Sequence, residues 1–209
     1  MKKTKCLALF SGGLDSMISV RLMAEQGVEV LALHFDIGFG AKDDKSAILR
    51  ARANMAGGDF RVVDVRDRYL QDVLFSPKYG YGKHFNPCID CHGYMAKTAF
   101  AMMADEGADF IITGEVVGQR PMSQRVEAMN QVKKIADDRD GLILRPLCAK
   151  LLPPTRPEIL GLIDREKLLD ISGRGRTRQM ELALKFGFSD YESPAGGCLL
   201  TIDSFANKI

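Results

Sequence analysis

The sequence lacks a strong net charge and lacks any long apolar run. Its 209 residues carry 29 Lys and Arg against 27 Asp and Glu, so the formal net charge is +2. A chain this close to neutral has no global basic field, and any contact with nucleic acid has to come from a local patch. No apolar run approaches the roughly 20 residues of a membrane-spanning helix, and the stretch behind the basic N-terminus is too short for a signal peptide. We therefore expect a cytoplasmic protein without a membrane partner.

Cysteine is scarce and odd in number. An odd count in such a chain argues against a disulfide framework and favours metal binding or catalysis. The five cysteines are Cys6, Cys88, Cys91, Cys148 and Cys198. Cys6 and Cys148 lie inside apolar stretches, so we expect buried structural side chains at these two positions. The other three need a different explanation.

Short apolar runs alternate with segments of helical spacing, and no internal repeat or low-complexity tract interrupts them. The runs predict strands at residues 6–10, 28–35, 60–65, 109–113 and 142–144. The segments between them predict helices at residues 16–26, 45–56, 66–74 and 94–106. Such alternation is typical of a doubly wound, Rossmann-like α/β domain with a parallel sheet, here residues 1–150. Ligands of these sheets bind at the carboxyl ends of the strands.

The last quarter of the chain departs from this alternation. It begins with Leu-Pro-Pro-Thr-Arg-Pro at residues 152–157, which is incompatible with a regular helix or a central strand. Two short helices are predicted after it, at 165–171 and 177–186. We expect residues 151–209 to form a small helical and loop appendage that carries Cys198. Because no obvious terminating element closes the sequence, we also expect a further domain that this chain does not contain.

A phosphate-binding loop is predicted directly after the first strand, where the sequence reads SGGLDS. Two glycines let the backbone turn sharply and approach an anion, and the N–H groups that open the next helix bind phosphate oxygens. The hydroxyls add donors, and the carboxylate is placed to hold the Mg²⁺ of a triphosphate. The motif matches neither a Walker A loop nor Gly-x-Gly-x-x-Gly. An ordinary strand–helix turn has a similar composition, but the order of strand, loop and helix favours a nucleotide site formed by Ser11, Gly12, Gly13, Leu14, Asp15 and Ser16.

The remaining cysteines suggest a second site. Cys88 and Cys91 precede a predicted helix, and helix N-termini favour thiolates. With Cys198 they suit a [4Fe–4S] cluster with one open iron, or a zinc site completed by His92. A persulfide relay, in which one cysteine carries sulfur and another resolves it, uses the same residues. Cysteine spacing alone leaves these alternatives open.

Several of these segments resemble known families. SGGLDS resembles the PP-loop signature of ATP pyrophosphatases, which cleave ATP between the α- and β-phosphates. NPCIDC at residues 86–91 is similar to a segment of tRNA 2-thiouridylases, whereas TGEVVGQ at 113–119 and LRPL at 144–147 resemble the catalytic domain of tRNA 4-thiouridine synthases. Nearly the whole chain is similar to thiouridylase-like proteins that share SPAGGCLLT, here residues 193–201.

The resemblance implies an adenine nucleotide alpha hydrolase-like fold that binds ATP and Mg²⁺. It maps the acceptor cysteines of tRNA thiolation onto Cys91 and Cys198, and it adds Cys88 where a [4Fe–4S] cluster is bound. It also places Leu33, His34 and Phe35 near the adenine. We expect Asp15 to act in catalysis through Mg²⁺, and we expect the loop at residues 114–124, with Gly114 and Gln119, to shape the substrate side of the nucleotide pocket. For His34, a strand-end side chain held by backbone contacts is the alternative to a catalytic role.

These expectations combine into one hypothesis. A carbonyl oxygen of a tRNA uridine is adenylated, pyrophosphate leaves, and sulfur from a sulfide or persulfide donor displaces AMP. The basic residues Arg174, Arg176 and Arg178 form the best local patch for RNA phosphates, although a solvated helix start has the same composition. The rival hypotheses are a sulfurtransferase or amidotransferase for a small molecule, and a nucleotide- or metal-binding module without turnover. A homodimer is left open.

Overall fold

A parallel five-stranded sheet forms the centre of the fold, seen in a computed structural model that describes residues 3–39, 44–192, 198–202 and 204. The strands pair in the order β3-β2-β1-β4-β5, and every pairing is parallel. Each of the five predicted strands is confirmed to within one residue at either end. Their bounds are β1 (Lys5–Leu9), β2 (Glu29–Asp36), β3 (Asp59–Asp64), β4 (Phe110–Thr113) and β5 (Ile143–Leu144).

Helices cover both faces of this sheet, as predicted for a doubly wound domain. Within the described residues, they are α1 (Leu14–Ala24), α2 (Ser46–Ala56), α3 (Arg66–Tyr69), α4 (Cys88–Glu106), α5 (Val126–Ala136), α6 (Arg156–Ile159) and α7 (Thr177–Phe186). A π-helical turn, Leu70–Leu74, continues α3, and 3-10 turns occupy Ala149–Leu151, Arg165–Lys167 and Leu199–Thr201. None of these helices is long and apolar enough to cross a membrane.

Two predicted helices differ from the structure. The helix predicted at 94–106 starts six residues earlier, at Cys88. Its first turn is fixed by Asp90, whose carboxylate accepts hydrogen bonds from the backbone N–H groups of Lys78 and Tyr79 at 2.7 and 3.0 Å. The helix predicted at 165–171 shortens to a single 3-10 turn. After that turn the chain bonds to residues 146 and 147 instead, through the N–H groups of Leu169 and Ile171.

The two sheet faces bury different side chains of the same strand. Alternate residues of β1 point to opposite faces, so that Cys6 joins the core under α1 and α2, whereas Leu7 joins the core beside α3 and α4. The appendage contributes to the first of these cores through Ala183 and Phe188. It is also tied to α1 by the guanidinium of Arg21, which lies 5.7 Å from the Phe188 ring centre. The division of the chain at residue 150 stays a prediction.

The strand order creates a crevice at the carboxyl ends of β1 and β4. The strands β2 and β3, which follow β1 in the sequence, lie on one side of β1. The next strand, β4, lies on the other side of β1. The connections after β1 and β4 therefore leave in opposite directions, and such a switch point is where doubly wound sheets bind ligands. The predicted phosphate loop follows β1, and the predicted Gly114–Gln119 segment follows β4.

Candidate active site

The loop between β1 and α1 has the geometry of an anion site. Gly12 has φ +76°, and a Cβ at this position would collide with the side chain of Leu49. The Ser16 hydroxyl donates to the Gly13 carbonyl at 2.8 Å, and the Gly13 N–H donates to the Ser11 hydroxyl at 3.3 Å. The first N–H groups of a helix have no acceptor within the helix, so those that open α1 are available to phosphate oxygens.

Gly114 presses directly against this loop. A Cβ on Gly114 would lie 2.7 Å from the backbone nitrogen of Ser16 and 2.9 Å from the carbonyl carbon of Asp15. Both neighbours are main-chain atoms, so neither can rotate away. Only glycine permits this approach, and it brings the segment after β4 against the phosphate loop.

Asp15 is held from the far side of the crevice. Its Oδ2 accepts a hydrogen bond of 2.6 Å from Gln119 Nε2 and forms an ion pair of 3.3 Å with Arg176. The buried side chain of Gln179 donates in turn to Gln119 Oε1 at 3.0 Å. The other carboxylate oxygen, Oδ1, is buried and has no hydrogen-bond partner among the described residues. An unpartnered carboxylate oxygen is the type of ligand that Mg²⁺ prefers.

The three arginines predicted as an RNA patch do not act as one group. Arg176 points to the phosphate loop through its ion pair with Asp15. Arg178 pairs instead with Asp170 at 2.6 Å, and both of these side chains are about half exposed. Arg174 is exposed to solvent. The alternation of glycine and arginine at 173–176 therefore spreads the charges over different directions, which a linear pattern does not show.

The predicted adenine-binding residues lie at the end of β2. The side chains of Leu33 and Phe35 are buried in the core beside α3 and α4. His34 faces the other way, and its Nδ1 lies 3.2 Å from the carbonyl oxygen of Phe10. This bond fits a strand-end histidine held by the backbone. Contact of these residues with adenine stays a prediction.

The cysteines of the second predicted site come together around Tyr69. Cys88 and Cys91 lie in the first turn of α4, and Asn86 Nδ2 donates to the Cys88 sulfur at 3.1 Å. The buried Tyr69 hydroxyl donates a hydrogen bond to Cys91. Electrostatic interaction with Cys88 and Cys198 raises the pKa of the Cys91 thiol. Cys198 is exposed, whereas residues 193–197 before it lie outside the described residues.

The expectation that the helix N-terminus favours thiolates is wrong for Cys91. Desolvation raises the pKa of its thiol to about 12, and the hydrogen bond from Tyr69 offsets only part of this. Although Cys198 as a whole residue is exposed, its sulfur is partly shielded from water, and this desolvation raises its pKa. Among the described residues, no three or more His, Cys, Asp or Glu side chains are arranged to hold a metal ion. The described cysteines therefore do not form a ready ligand set.

Cys6 and Cys148 are confirmed as buried structural residues. Both side chains are fully buried in the core. Burial raises the pKa of Cys6, and it raises the pKa of Cys148 to about 11. Neither thiol adds to the group around Tyr69.

A family comparison agrees with this geometry. The model of the ThiI family, described as thiamine biosynthesis protein, matches residues 1–150, well over half of the chain. The chain belongs to this family. The chain is also similar to tRNA 2-thiouridylases and to tRNA sulfurtransferases.

The individual relatives are longer than this ThiI-family chain. It is 30% identical over 169 residues to the probable tRNA sulfurtransferase of Thermococcus kodakarensis. This alignment covers 80% of this chain and 40% of that protein. It is 34% identical over 128 residues to the tRNA-specific 2-thiouridylase MnmA of Mycobacteroides abscessus, covering 53% and 35%. A 4-thiouridine synthetase in complex with RNA and ATP has the same fold, with a TM-score of 0.63, 20% identity, and coverage of 88% and 41%. The chain spans less than half the length of each.

A buried ionic network beside the crevice was not found from the sequence. Glu115 is 5% exposed, bonds to Arg145 Nε at 2.7 Å and lies 2.8 Å from His92 Nδ1. Burial acts to raise the pKa of Glu115, but Arg145 and His92 together lower it to about 2. The position of Glu115, two residues after a strand in a parallel sheet, was the signal that could have identified it. This ThiI-family chain therefore connects α4 to the crevice through a permanently charged carboxylate.

Arg52 was missed for a different reason. It lies in the middle of α2, far from any motif, yet its guanidinium donates to the Gly12 carbonyl at 3.3 Å. The same group bonds to Asp190 at 3.0 and 3.1 Å. It therefore braces the outer side of the phosphate loop against the appendage, a contact that only the tertiary fold creates.

Proposed function

We propose that this chain is the catalytic part of an ATP-dependent sulfurtransferase that adenylates a carbonyl oxygen of a tRNA uridine and then replaces it with sulfur. One line of contacts supports this proposal. His92, next to Cys91, bonds to Glu115, and Glu115 follows the Gly114 that packs against Ser16. The thiol-bearing helix and the phosphate loop thus adjoin one crevice, as adenylation and sulfur transfer on one atom require. The tRNA-modifying names of the relatives support RNA as the substrate.

The phosphate loop serves the first step. The uridine carbonyl oxygen attacks the α-phosphorus, the bond from that phosphorus to the bridging oxygen breaks, and its electron pair leaves with pyrophosphate. The adjacent ring nitrogen loses its proton to water. N–H groups at the start of α1 and the hydroxyl of Ser11 are positioned to bind the phosphates and to stabilise the charge on the leaving group. Mg²⁺, which Asp15 Oδ1 would hold, supplies further charge neutralisation when bound.

The thiols serve the second step. Sulfur attacks the adenylated carbon, the carbon–oxygen bond breaks, and AMP leaves with the electron pair while the ring nitrogen regains a proton. We propose that Cys88, Cys91 and Cys198 handle this sulfur. In a relay, the terminal sulfur of a persulfide bonds to the carbon, and a second thiol then attacks the remaining S–S bond. The resulting disulfide is restored by an external thiol reductant.

The alternative to this relay is a [4Fe–4S] cluster bound by the same three thiols. Because the described thiols form no ready ligand set, we assign no step to a cluster. Iron and acid-labile sulfide are measured on anaerobically purified protein to separate the two forms. Brown protein containing both elements identifies the thiols as ligands, whereas colourless, iron-free protein that still transfers sulfur identifies a relay.

The function is tested by following both steps in one reaction. The chain is incubated anaerobically with Mg·ATP, unmodified tRNA, a persulfide donor and a thiol reductant, and in a parallel reaction sulfide replaces the persulfide donor. Pyrophosphate is measured, and the nucleosides are analysed by mass spectrometry. We expect tRNA-dependent pyrophosphate release and a thiolated uridine. Cys91→Ala should keep pyrophosphate release but lose thiolation, whereas the buried control Cys6→Ala should keep both if it folds. Pyrophosphate release that needs a metabolite instead of RNA supports a small-molecule enzyme, and nucleotide binding without turnover supports a binding module.

A further inference from the structure

A segment of the appendage is fastened to the far wall of the crevice. The N–H of Gly173 donates to the Val117 carbonyl at 2.8 Å, and Ser172 forms a parallel β-bridge with Val117. This pairing fixes the chain at the start of the Gly-Arg-Gly-Arg sequence, residues 173–176, and α7 begins directly after that sequence. The position of Arg176 is therefore set by two separate parts of the fold, this bridge and the start of α7.

The Arg176 side chain reaches the phosphate loop and is mostly buried there. Its guanidinium lies 3.3 Å from Asp15 Oδ2, and 17% of its side chain is exposed, against 53% for Arg178. A guanidinium carries five N–H donors in a fork that matches phosphate oxygens. A single ion pair with one carboxylate leaves several of these donors for a phosphate bound beside the loop.

We propose that Arg176 binds the β- and γ-phosphates of ATP and stabilises the pyrophosphate that leaves. This inference rests on the proposed adenylation. When the nucleotide is absent, Arg176 is held in place by Asp15. When ATP binds, the guanidinium turns to the polyphosphate, because several negative charges on the ligand attract it more strongly than one carboxylate does.

The charge change during the reaction explains why a cation is needed at this point. As the bond between the α-phosphorus and the bridging oxygen breaks, its electron pair stays on pyrophosphate, which gains negative charge. A fixed guanidinium within reach stabilises that charge without reorganisation of solvent. The appendage thus supplies a residue of the nucleotide site, and the PP-loop domain alone lacks it.

The test compares Arg176→Ala with Arg176→Lys and with the control Arg178→Ala, which removes a neighbouring arginine from the same segment. Binding of pyrophosphate and of AMP to each protein is measured by calorimetry, together with the melting temperature and with ATP–pyrophosphate exchange in the presence of tRNA. Loss of a charge-assisted hydrogen bond weakens binding by roughly 10- to 100-fold. We expect this loss for pyrophosphate in Arg176→Ala, with AMP affinity unchanged, partial recovery in Arg176→Lys, and wild-type behaviour in Arg178→Ala.

The outcomes separate this inference from the proposed function. If Arg176→Ala binds pyrophosphate as tightly as Arg178→Ala does, while the wild type still turns over ATP, the role of Arg176 is refuted and the function stands. If the wild type binds neither pyrophosphate nor ATP, both are refuted. Equal losses of pyrophosphate and AMP affinity in Arg176→Ala and Arg176→Lys would show a merely structural residue, and they would also overturn the inference.

Discussion

Replacement of Gly114 by alanine is a direct test of the crevice. The added Cβ would meet the backbone of Ser16 at 2.7 Å, well inside the 3.4 Å at which ordinary contact begins. Since the neighbouring atoms belong to the main chain, the loop itself has to move by more than half an ångström to reach ordinary contact. Overpacking of this kind costs about 1–3 kcal/mol of unfolding free energy, and each kcal/mol lowers the melting temperature by about 2–4 °C in a chain of this length. Displacement of the loop should also slow ATP–pyrophosphate exchange by roughly 100-fold, because catalysis is sensitive to sub-ångström positioning.

Gly161→Ala is the matched control. Gly161 has φ +68° and open space around its Cα, so alanine there meets backbone strain but no neighbour. Left-handed backbone costs a non-glycine residue roughly 1–2 kcal/mol, which is comparable with the predicted loss at Gly114. Chemical denaturation and ATP titration of both variants separate stability from function. Gly114→Ala protein that keeps wild-type ATP affinity and exchange would refute the close approach described above.

Three further predictions address single groups. Asp15→Ala should abolish Mg·ATP-dependent pyrophosphate release while circular dichroism shows an unchanged fold; a folded variant with normal turnover contradicts the assignment. Tyr69→Phe removes the hydrogen bond that lowers the pKa of Cys91, so alkylation of this thiol, followed by mass spectrometry, should shift to higher pH; an unshifted profile excludes the bond. Glu115→Gln should cost about 3–5 kcal/mol at pH 7, because it leaves a buried arginine uncompensated. As the folded pKa of Glu115 is about 2, below its unfolded value, this stabilisation is complete above roughly pH 4.5 and is lost as the pH falls towards 2. Urea unfolding at several pH values should show that loss. As a control, Asp64→Asn removes an exposed carboxylate whose pKa is also about 2, and it should have a much smaller effect on stability.

The fold could be predicted from the sequence because its strands are short, apolar and buried. All five strands and the phosphate loop follow from local patterns that the sheet preserves. The helix at Cys88 was placed too late because its start depends on a distant partner. Asp90 accepts bonds from residues 78 and 79, in a segment with no regular pattern. The predicted helix at 165–171 failed for the same reason, since bonds to residues 146 and 147 replaced those of a helix.

The candidate site was predictable only where one segment contains the chemistry. The SGGLDS motif contains the glycine turn, the serine hydroxyls and the first residues of the helix, so it identifies the loop without other information. Glu115, Arg52 and Arg176 act through partners 23 to 161 positions away in the chain. No spacing rule connects such residues, and the three arginines of the appendage show the consequence. Their linear pattern predicted an RNA patch, whereas one of them reaches Asp15.

In the proposed reaction, the protonated Cys91 thiol determines which step has to precede the transfer of sulfur. Desolvation raises the pKa of the Cys91 thiol well above that of a free cysteine, so this thiol is mostly protonated at pH 7 and is a poor nucleophile in the resting protein. The main cause is desolvation of the Cys91 thiol, and electrostatic interaction with Cys88 and Cys198 raises its pKa further. Activation therefore has to accompany the arrival of a partner, either a metal that displaces the proton on binding or a donor that delivers sulfur already as a persulfide. A resting thiol without thiolate character is also poorly oxidised. Since Arg176 and Cys198 both lie in the predicted appendage, the proposed binding of ATP and the proposed activation of the thiols would involve the same part of the chain.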